Sequence, residues 1–137
     1  MPLSGHRILL AEDEWIIAFD VERIIQEAGG EVAAHAPSLA KALELAGMPN
    51  LSLAILDFRL GKDNSLPVAA KLHGAGVPFI FHTGGGISEL SVAWPLAPVI
   101  EKPAAPKDLV AAMVALLSGT GEVRRPQGRK MWAPAFS

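Results

Sequence analysis

Leu51-Ser-Leu-Ala-Ile-Leu-Asp57 decides the fold, because an almost unbroken apolar run ends on a carboxylate. Continuous apolar character predicts a strand that is buried on both faces, as in a parallel sheet. Three other apolar runs end on polar residues, namely Glu12-Asp13, Thr83 and Lys102. Ligands bind at the C-terminal ends of the strands in an open α/β sheet. The sequence therefore predicts one site that contains all of these groups.

The chain alternates strand and helix patterns. Strands are predicted at residues 8–11, 31–35, 51–56, 77–82 and 97–100, and helices at 13–28, 37–47, 65–75 and 106–117. Strands separated by helix-length segments indicate crossover connections and a doubly wound α/β fold with a five-stranded parallel sheet. The link between the last two strands, residues 84–96, contains three glycines and Pro95 and gives only a short helical hint at 87–93.

Composition limits the functional classes. A chain of 137 residues, half of them hydrophobic, is expected to form one domain with a real core. A net charge of -2 gives no reason to expect a nucleic-acid partner, and the absence of cysteine excludes disulfides and thiolate metal sites. No signal-peptide pattern or apolar run of about 20 residues is present, so we expect no membrane association and a cytoplasmic location.

The strand-end residues have a common chemistry. Crowded carboxylates of Glu12, Asp13 and Asp57 would repel one another, and a hard divalent cation such as Mg²⁺ would relieve the repulsion. A carboxylate held beside Mg²⁺ can attack phosphorus and form an acyl phosphate. Thr83 could donate a hydrogen bond to a phosphoryl oxygen, and Lys102 could pair with another. Pro103 could be a cis proline that fixes the lysine loop.

These motifs, in this order, resemble the receiver domain of response regulators in two-component systems. They are Leu10-Ala-Glu-Asp-Glu14, Ile55-Leu-Asp57, Thr83-Gly84 and Glu101-Lys-Pro103, and the resemblance covers about residues 6–118. It implies a flavodoxin-like sheet of order 2-1-3-4-5. It also implies specific roles: Asp57 as phospho-acceptor, Glu12 and Asp13 as the acidic metal pair, the Arg59 carbonyl as a backbone metal ligand, Thr83 as the switch hydroxyl and Lys102 as the phosphate-pairing lysine.

The sequence also departs from the family pattern. Val99 stands where most receivers carry an aromatic switch residue, and Glu12 stands where aspartate is common. The stretch Phe81-His-Thr-Gly-Gly-Gly86 resembles the Phe-Ala-Thr-Gly-type motif of a single-domain subgroup whose fourth helix is shortened or mobile. We therefore interpret Gly84, Gly85 and Gly86 as a hinge or loose loop and expect this loop to carry the signal.

Plainer interpretations exist for each residue taken alone. Asp57 could cap a turn, the acidic pair could complement a helix dipole, Thr83 could be only a strand former and Lys102 a solvated charge. His82 is expected to pack beneath a helix rather than to act in chemistry, because it points away from Phe81 and Thr83.

The expected function is that of a single-domain response regulator. It would receive a phosphoryl group from a histidine kinase or histidine phosphotransfer protein, act on a downstream protein or as a phosphate shuttle or sink, and be a monomer or weak dimer. It would catalyse only its own phosphorylation and dephosphorylation. The alternatives are a receiver-fold binding module that is never phosphorylated and a small aspartyl-phosphate phosphohydrolase. Residues 119–137 are expected to be a basic and apolar tail, either solvated and partly disordered or docked through Trp132 and Phe136.

Overall fold

The computed structural model describes residues 1–118, which form five helices, a five-stranded sheet and a two-stranded hairpin. The sheet strands are β1 (Arg7–Ala11), β2 (Glu31–Ala36), β3 (Leu53–Leu56), β6 (Phe79–Thr83) and β7 (Val99–Glu101), and the hairpin strands are β4 (Arg59–Leu60) and β5 (Asp63–Asn64). The helices are α1 (Trp15–Glu27), α2 (Leu39–Leu45), α3 (Leu66–Gly74), α4 (Ile87–Ala93) and α5 (Pro106–Leu117).

The large sheet is parallel throughout and has the order β2-β1-β3-β6-β7. With the hairpin strands left aside, this is the predicted order 2-1-3-4-5, so the flavodoxin-like α/β fold is confirmed. Ala11 is paired with Leu56, Leu56 with Phe81, and Phe81 with Val99. This register aligns the C-terminal ends of the four strands that carry the predicted site.

The core lies on both faces of the sheet. On one face, Ala54 and Leu56 of β3 pack with residues of α2, α3 and α4. On the other face, Leu53 and Ile55 pack with residues of α1 and α5. All four β3 residues are buried, because each successive side chain points to the opposite covered face. The apolar run therefore has the two-sided burial that its composition predicts.

The helix boundaries differ slightly from the sequence predictions. α1 begins at Trp15 rather than at residue 13, so Asp13 and Glu14 lie before the helix. α2 ends at Leu45, and its N-cap Ser38 accepts a hydrogen bond from the backbone N–H of Lys41. α5 spans the predicted residues. The β4–β5 hairpin was not predicted, because each of its strands has only two residues and leaves no periodic pattern.

The fourth crossover helix is short. α4 has seven residues, as many as α2, against 13 in α1 and 12 in α5, and it coincides with the weak helical pattern in the sequence. Its shortness is as predicted, whereas its mobility stays a prediction. The predicted tail, residues 119–137, lies outside the described residues. Among residues 1–118, no helix combines the length and apolar character needed to span a membrane.

Candidate functional site

Three carboxylates meet at the C-terminal edge of the sheet. One oxygen from each of Glu12, Asp13 and Asp57 lies within 4.8 Å of the other two. Glu12 and Asp57 are buried, whereas Asp13 is exposed. The sheet register explains this arrangement, since Glu12 and Asp57 each directly follow one of two paired strand ends. The structure therefore brings the predicted acidic residues together.

Lys102 joins the two buried carboxylates. Its ammonium Nζ donates to Glu12 Oε1 and to Asp57 Oδ2, both at 2.7 Å. Its backbone N–H donates to the Thr83 carbonyl at 2.9 Å, which anchors the lysine at the end of β6. The Lys102–Pro103 peptide bond is cis. These contacts hold the ammonium between the two carboxylates. The two side-chain contacts are short, charge-assisted hydrogen bonds, as ion pairs form.

Burial changes the acidity of this cluster. Loss of hydration raises the pKa of Glu12 from 4.5 to about 7, although hydrogen bonds from Lys102 and from the Glu14 backbone act in the opposite direction. For Lys102, burial is the largest single effect and would lower the pKa. Hydrogen bonds to Asp57 and Glu12, together with their negative charges, outweigh it, so the pKa of Lys102 is raised. A buried glutamate with such a pKa favours any cation that can stabilise its charge.

Backbone N–H groups orient each carboxylate. The Glu14 N–H donates to Glu12 Oε2 at 3.1 Å, and the Gly61 N–H donates to Asp13 Oδ2 at 3.0 Å. The Arg59 N–H lies 3.4 Å from Asp57 Oδ1. Gly61 adopts a φ of 65° in the β4–β5 turn, which presents its N–H to Asp13. The hairpin that the sequence analysis missed thus helps to position the exposed carboxylate.

A cleft of about 250 Å³ opens over these groups. Its lining combines the acidic residues, the lysine and the loop after β6: Asp13, Glu14, Asp57, Arg59, Thr83, Gly84, Gly85 and Lys102. Thr83 is buried, and its hydroxyl donates to the Gly85 carbonyl at 3.0 Å while accepting from the Gly85 N–H at 3.3 Å. The hydroxyl is therefore engaged with the glycine loop in this conformation.

The glycine loop is more constrained than the sequence predicted. Gly86 has a φ of 75° and is the N-cap of α4. A Cβ built on Gly86 would lie 2.9 Å from Cγ of Phe58 and closer still to Cδ2 and Cε2. Gly85 has no such neighbour, and Gly84 approaches only Lys102 Cβ, at 4.0 Å. Gly86 is thus required for packing, and the interpretation of all three glycines as a loose hinge is too broad.

Two contacts with no local sequence signature hold α4 in place, one beside the site and one in the core. The Arg59 guanidinium lies 3.8 Å from Glu89 of α4 and 5.2 Å from the centroid of the Phe58 ring. Trp94, which follows α4, packs edge-on against Phe79, with 5.3 Å between the ring centroids. The sequence signal for these contacts was weak: Phe58 is a large apolar residue directly after Asp57, which indicates burial but not its partner.

Val99 and His82 lie beside the cluster. Val99 is half-buried and is paired with Phe81, so this position offers no aromatic ring. His82 is buried on the opposite side of β6 from Thr83, in a cavity that α1 also lines. Burial, together with the nearby Lys102 charge, lowers the pKa of His82. This placement beneath a helix is the one predicted for His82.

The donor set fits a hard divalent cation. Mg²⁺ prefers oxygen ligands and is commonly held by one or two carboxylates that leave room for water. Glu12, Asp13 and Asp57 supply three carboxylates within reach of one point, one of them exposed to solvent. The raised pKa of Glu12 shows that burial destabilises its negative charge. A bound cation would lower this free-energy cost. The metal-ligand role predicted for the Arg59 carbonyl stays a prediction.

Comparisons with known proteins give the same fold. No protein-family model matches the chain. The structure is similar to a response regulator receiver domain protein (CheY-like) from Methanospirillum hungatei JF-1, with a TM-score of 0.76 and 28% identity over 84% of this chain and 95% of that one. It is also similar to SdrG from Sphingomonas melonis Fr1, with a TM-score of 0.73 and 31% identity over 85% of this chain and 98% of that one.

A curated sequence relative agrees over a shorter stretch. The transcriptional regulatory protein PdtaR of Mycobacterium tuberculosis is 30% identical over 66 residues, which cover 48% of this chain and 32% of PdtaR. The matched segment thus spans about a third of the length of PdtaR. The two structural relatives, by contrast, are matched almost from end to end. This coverage and the shared sheet order show that the structure has the receiver-domain fold, and its neighbours among solved structures include CheY-like response regulator receiver domains.

Proposed function

We propose that this chain is a response regulator receiver domain that accepts a phosphoryl group on Asp57. The observation that carries the proposal is the Lys102 ammonium, held 2.7 Å from an Asp57 oxygen and 2.7 Å from a Glu12 oxygen at the bottom of an open cleft. This arrangement combines a nucleophilic carboxylate, a fixed cation and two further carboxylates. A structural ion pair alone would not require the third carboxylate of Asp13 or the cleft.

The proposed reaction is a single phosphoryl transfer. An Asp57 carboxylate oxygen attacks phosphorus and forms a new P–O bond, while the bond from phosphorus to the donor atom breaks and its electron pair leaves with the donor. Phosphoryl transfer depends mainly on positioning and on neutralising charge at the phosphoryl oxygens. Lys102 already lies beside Asp57, and Thr83 could reach an oxygen if its hydroxyl left Gly85.

Mg²⁺ would be held by Glu12, Asp13 and Asp57. When bound, the ion would neutralise charge on the carboxylates and on the phosphoryl oxygens. The protein's own contribution is to orient the carboxylates through the N–H groups of Glu14, Gly61 and Arg59 and to keep Glu12 out of water.

The proposed partners follow from the reaction. A histidine kinase or histidine phosphotransfer protein would donate the phosphoryl group in the cytoplasm, and a downstream protein would recognise the phosphorylated state. Because position 99 is valine, we propose that residues 84–96 carry the signal in place of an aromatic switch. Membership of the subgroup with the Phe-Ala-Thr-Gly-type motif stays a prediction, as does the absence of catalysis on other substrates.

Intact-protein mass spectrometry after incubation with acetyl phosphate and Mg²⁺ tests the proposal. We expect the mass gain of one phosphoryl group in the wild-type protein and none in Asp57→Asn. Asp63→Asn is a matched control, because Asp63 is an exposed carboxylate in the neighbouring hairpin and should leave the gain intact. A wild-type protein that gains no mass would favour the binding module, and a gain that persists in Asp57→Asn would refute Asp57 as acceptor.

A further inference from the structure

Three large apolar side chains of α1 face solvent. Trp15, Ile16 and Phe19 are 73%, 67% and 65% exposed. They lie together on the first turns of one helix, since residues three and four positions apart share a helix face. The phosphoryl-acceptor cluster does not use them. Contiguous exposed apolar surface of this kind usually marks a binding surface.

Two of these residues, Ile16 and Phe19, line a groove between α1 and α5. A cavity of about 430 Å³ is lined by Ile16, Phe19, Pro103 and Leu109, and His82 also lines it. A second cavity of about 480 Å³ is lined by Val110 and Val114 of α5, together with Pro2. Ile24 lines both cavities, so they adjoin, and together they are here called the α1–α5 groove. Lys102 lines the first of them.

We propose that the C-terminal segment of this chain, residues 119–137, binds in the α1–α5 groove through Trp132 and Phe136. α5 ends at Leu117, only three residues beyond the groove residue Val114, so this segment begins at one end of the groove. The 14 residues from Ser118 to Trp132 can extend about 45 Å. α1, with 13 residues, is about 20 Å long, so the aromatic residues can reach any part of the groove.

The apolar end of the segment supports this occupant. Residues 131–136 include Met131, Trp132 and Phe136, and the groove is lined mostly by apolar side chains. Its charged lining residues nearly balance, with Asp20 and Glu27 against Arg23, Lys102 and Lys107. Burial of the aromatic side chains, and not charge, is therefore expected to drive the binding.

Cysteine cross-linking tests this inference cleanly, because the chain has no cysteine. One variant carries Arg23→Cys, at the exposed edge of the groove, together with Ala133→Cys. The matched control carries Lys41→Cys, which is exposed on α2 over the other face of the sheet, together with Ala133→Cys. Under mild oxidation we expect the intramolecular disulfide to form at least tenfold faster in the first protein, and adding Trp132→Ala and Phe136→Ala to remove this difference.

Equal rates at the two positions would overturn the inference. Disulfide-linked dimers in place of intramolecular products would also overturn it, because they would identify a second copy as the occupant. A label-free measurement covers the possibility that the cysteine variants fold poorly: amide NMR shifts of the full chain should change along α1 and α5 in Trp132→Ala/Phe136→Ala. Changes confined to residues near 132 and 136 would contradict docking. None of these outcomes depends on phosphorylation of Asp57.

Discussion

Gly86 packs directly against the buried ring of Phe58. The contact leaves no room for a side chain at position 86, and the φ of 75° there disfavours any residue but glycine. Phe58 directly follows the proposed acceptor Asp57, and Gly86 is the N-cap of α4. The start of α4 is therefore tied to the strand that carries the acceptor.

Gly86→Ala should destabilise the protein by about 1–3 kcal/mol, because the added Cβ combines backbone strain with overlap on Phe58. Urea denaturation followed by circular dichroism measures the change. Gly85→Ala is the control, since no atom lies within 4 Å of its Cβ position and its φ is not positive. We expect that variant to lose less than about 1 kcal/mol. Equal losses in the two variants would show that the Phe58 contact is unimportant.

Phosphorylation should change the hydrogen exchange of residues 84–96. Thr83 bonds to Gly85 in the present conformation, and Arg59 pairs with Glu89. A phosphoryl group on Asp57 would compete for both the hydroxyl and the guanidinium, which would shift the conformations of this segment. Hydrogen-exchange mass spectrometry with and without beryllofluoride and Mg²⁺ measures the effect, with Asp57→Asn as control. Unchanged protection in the wild-type protein would rule out the loop as the carrier of the signal.

Mg²⁺ binding should weaken as pH falls below about 7. Burial raises the pKa of Glu12 to about 7, so below that pH a proton must leave before the carboxylate can bind the ion. We expect the apparent Kd to rise by up to about tenfold per pH unit, measured by calorimetry between pH 5.5 and 8. Glu12→Gln should remove most of this slope. A slope of unchanged size in Glu12→Gln would assign the proton to another group.

The raised pKa of Glu12 also determines how the free energy of unfolding depends on pH when no metal is bound. The folded state keeps the Glu12 proton to a higher pH than the unfolded state, whose pKa is near 4.5. Between pH 4.5 and about 7 the folded state therefore binds more protons, and the Glu12 contribution to the free energy of unfolding falls as pH rises. Added Mg²⁺ should accordingly raise the melting temperature more at pH 8 than at pH 5.5.

His82 should make the free energy of unfolding depend on pH in the opposite direction to Glu12. Its pKa in the folded state is lowered from 6.5, first by burial and then by the Lys102 charge, so the folded state binds the proton less readily than the unfolded state. The His82 contribution to the free energy of unfolding therefore falls as pH drops below about 6.5. His82→Leu should lose this pH dependence. The difference between wild-type and variant unfolding curves at pH 5 and pH 8 isolates it from the Glu12 effect, and a constant difference would contradict the prediction.

The strands and their polar ends could be read from the sequence, because a doubly covered strand is continuously apolar and its last residue faces the ligand edge. Asp57 is the clearest example. The apolar run before it predicts the strand, and the end of that strand places Asp57 at the edge of the sheet. Phe58, Glu89 and the Gly61 turn could not be assigned in this way. Their roles depend on contacts between segments far apart in the chain, and no local periodicity reports such contacts.

By itself, the sequence determined the α/β fold, the order of the crossover elements and the group of residues at the sheet edge, since these follow from hydrophobic patterning and the rule that parallel strands end at one edge. Only the tertiary structure decided how these residues interact. Burial, which depends on both covering layers, raises the pKa of Glu12, and the pairing of β6 with β7 places Lys102 between Glu12 and Asp57. The Phe58 ring likewise distinguishes Gly86 from its two neighbouring glycines, because steric exclusion depends on what folds against a residue and not on the residue itself.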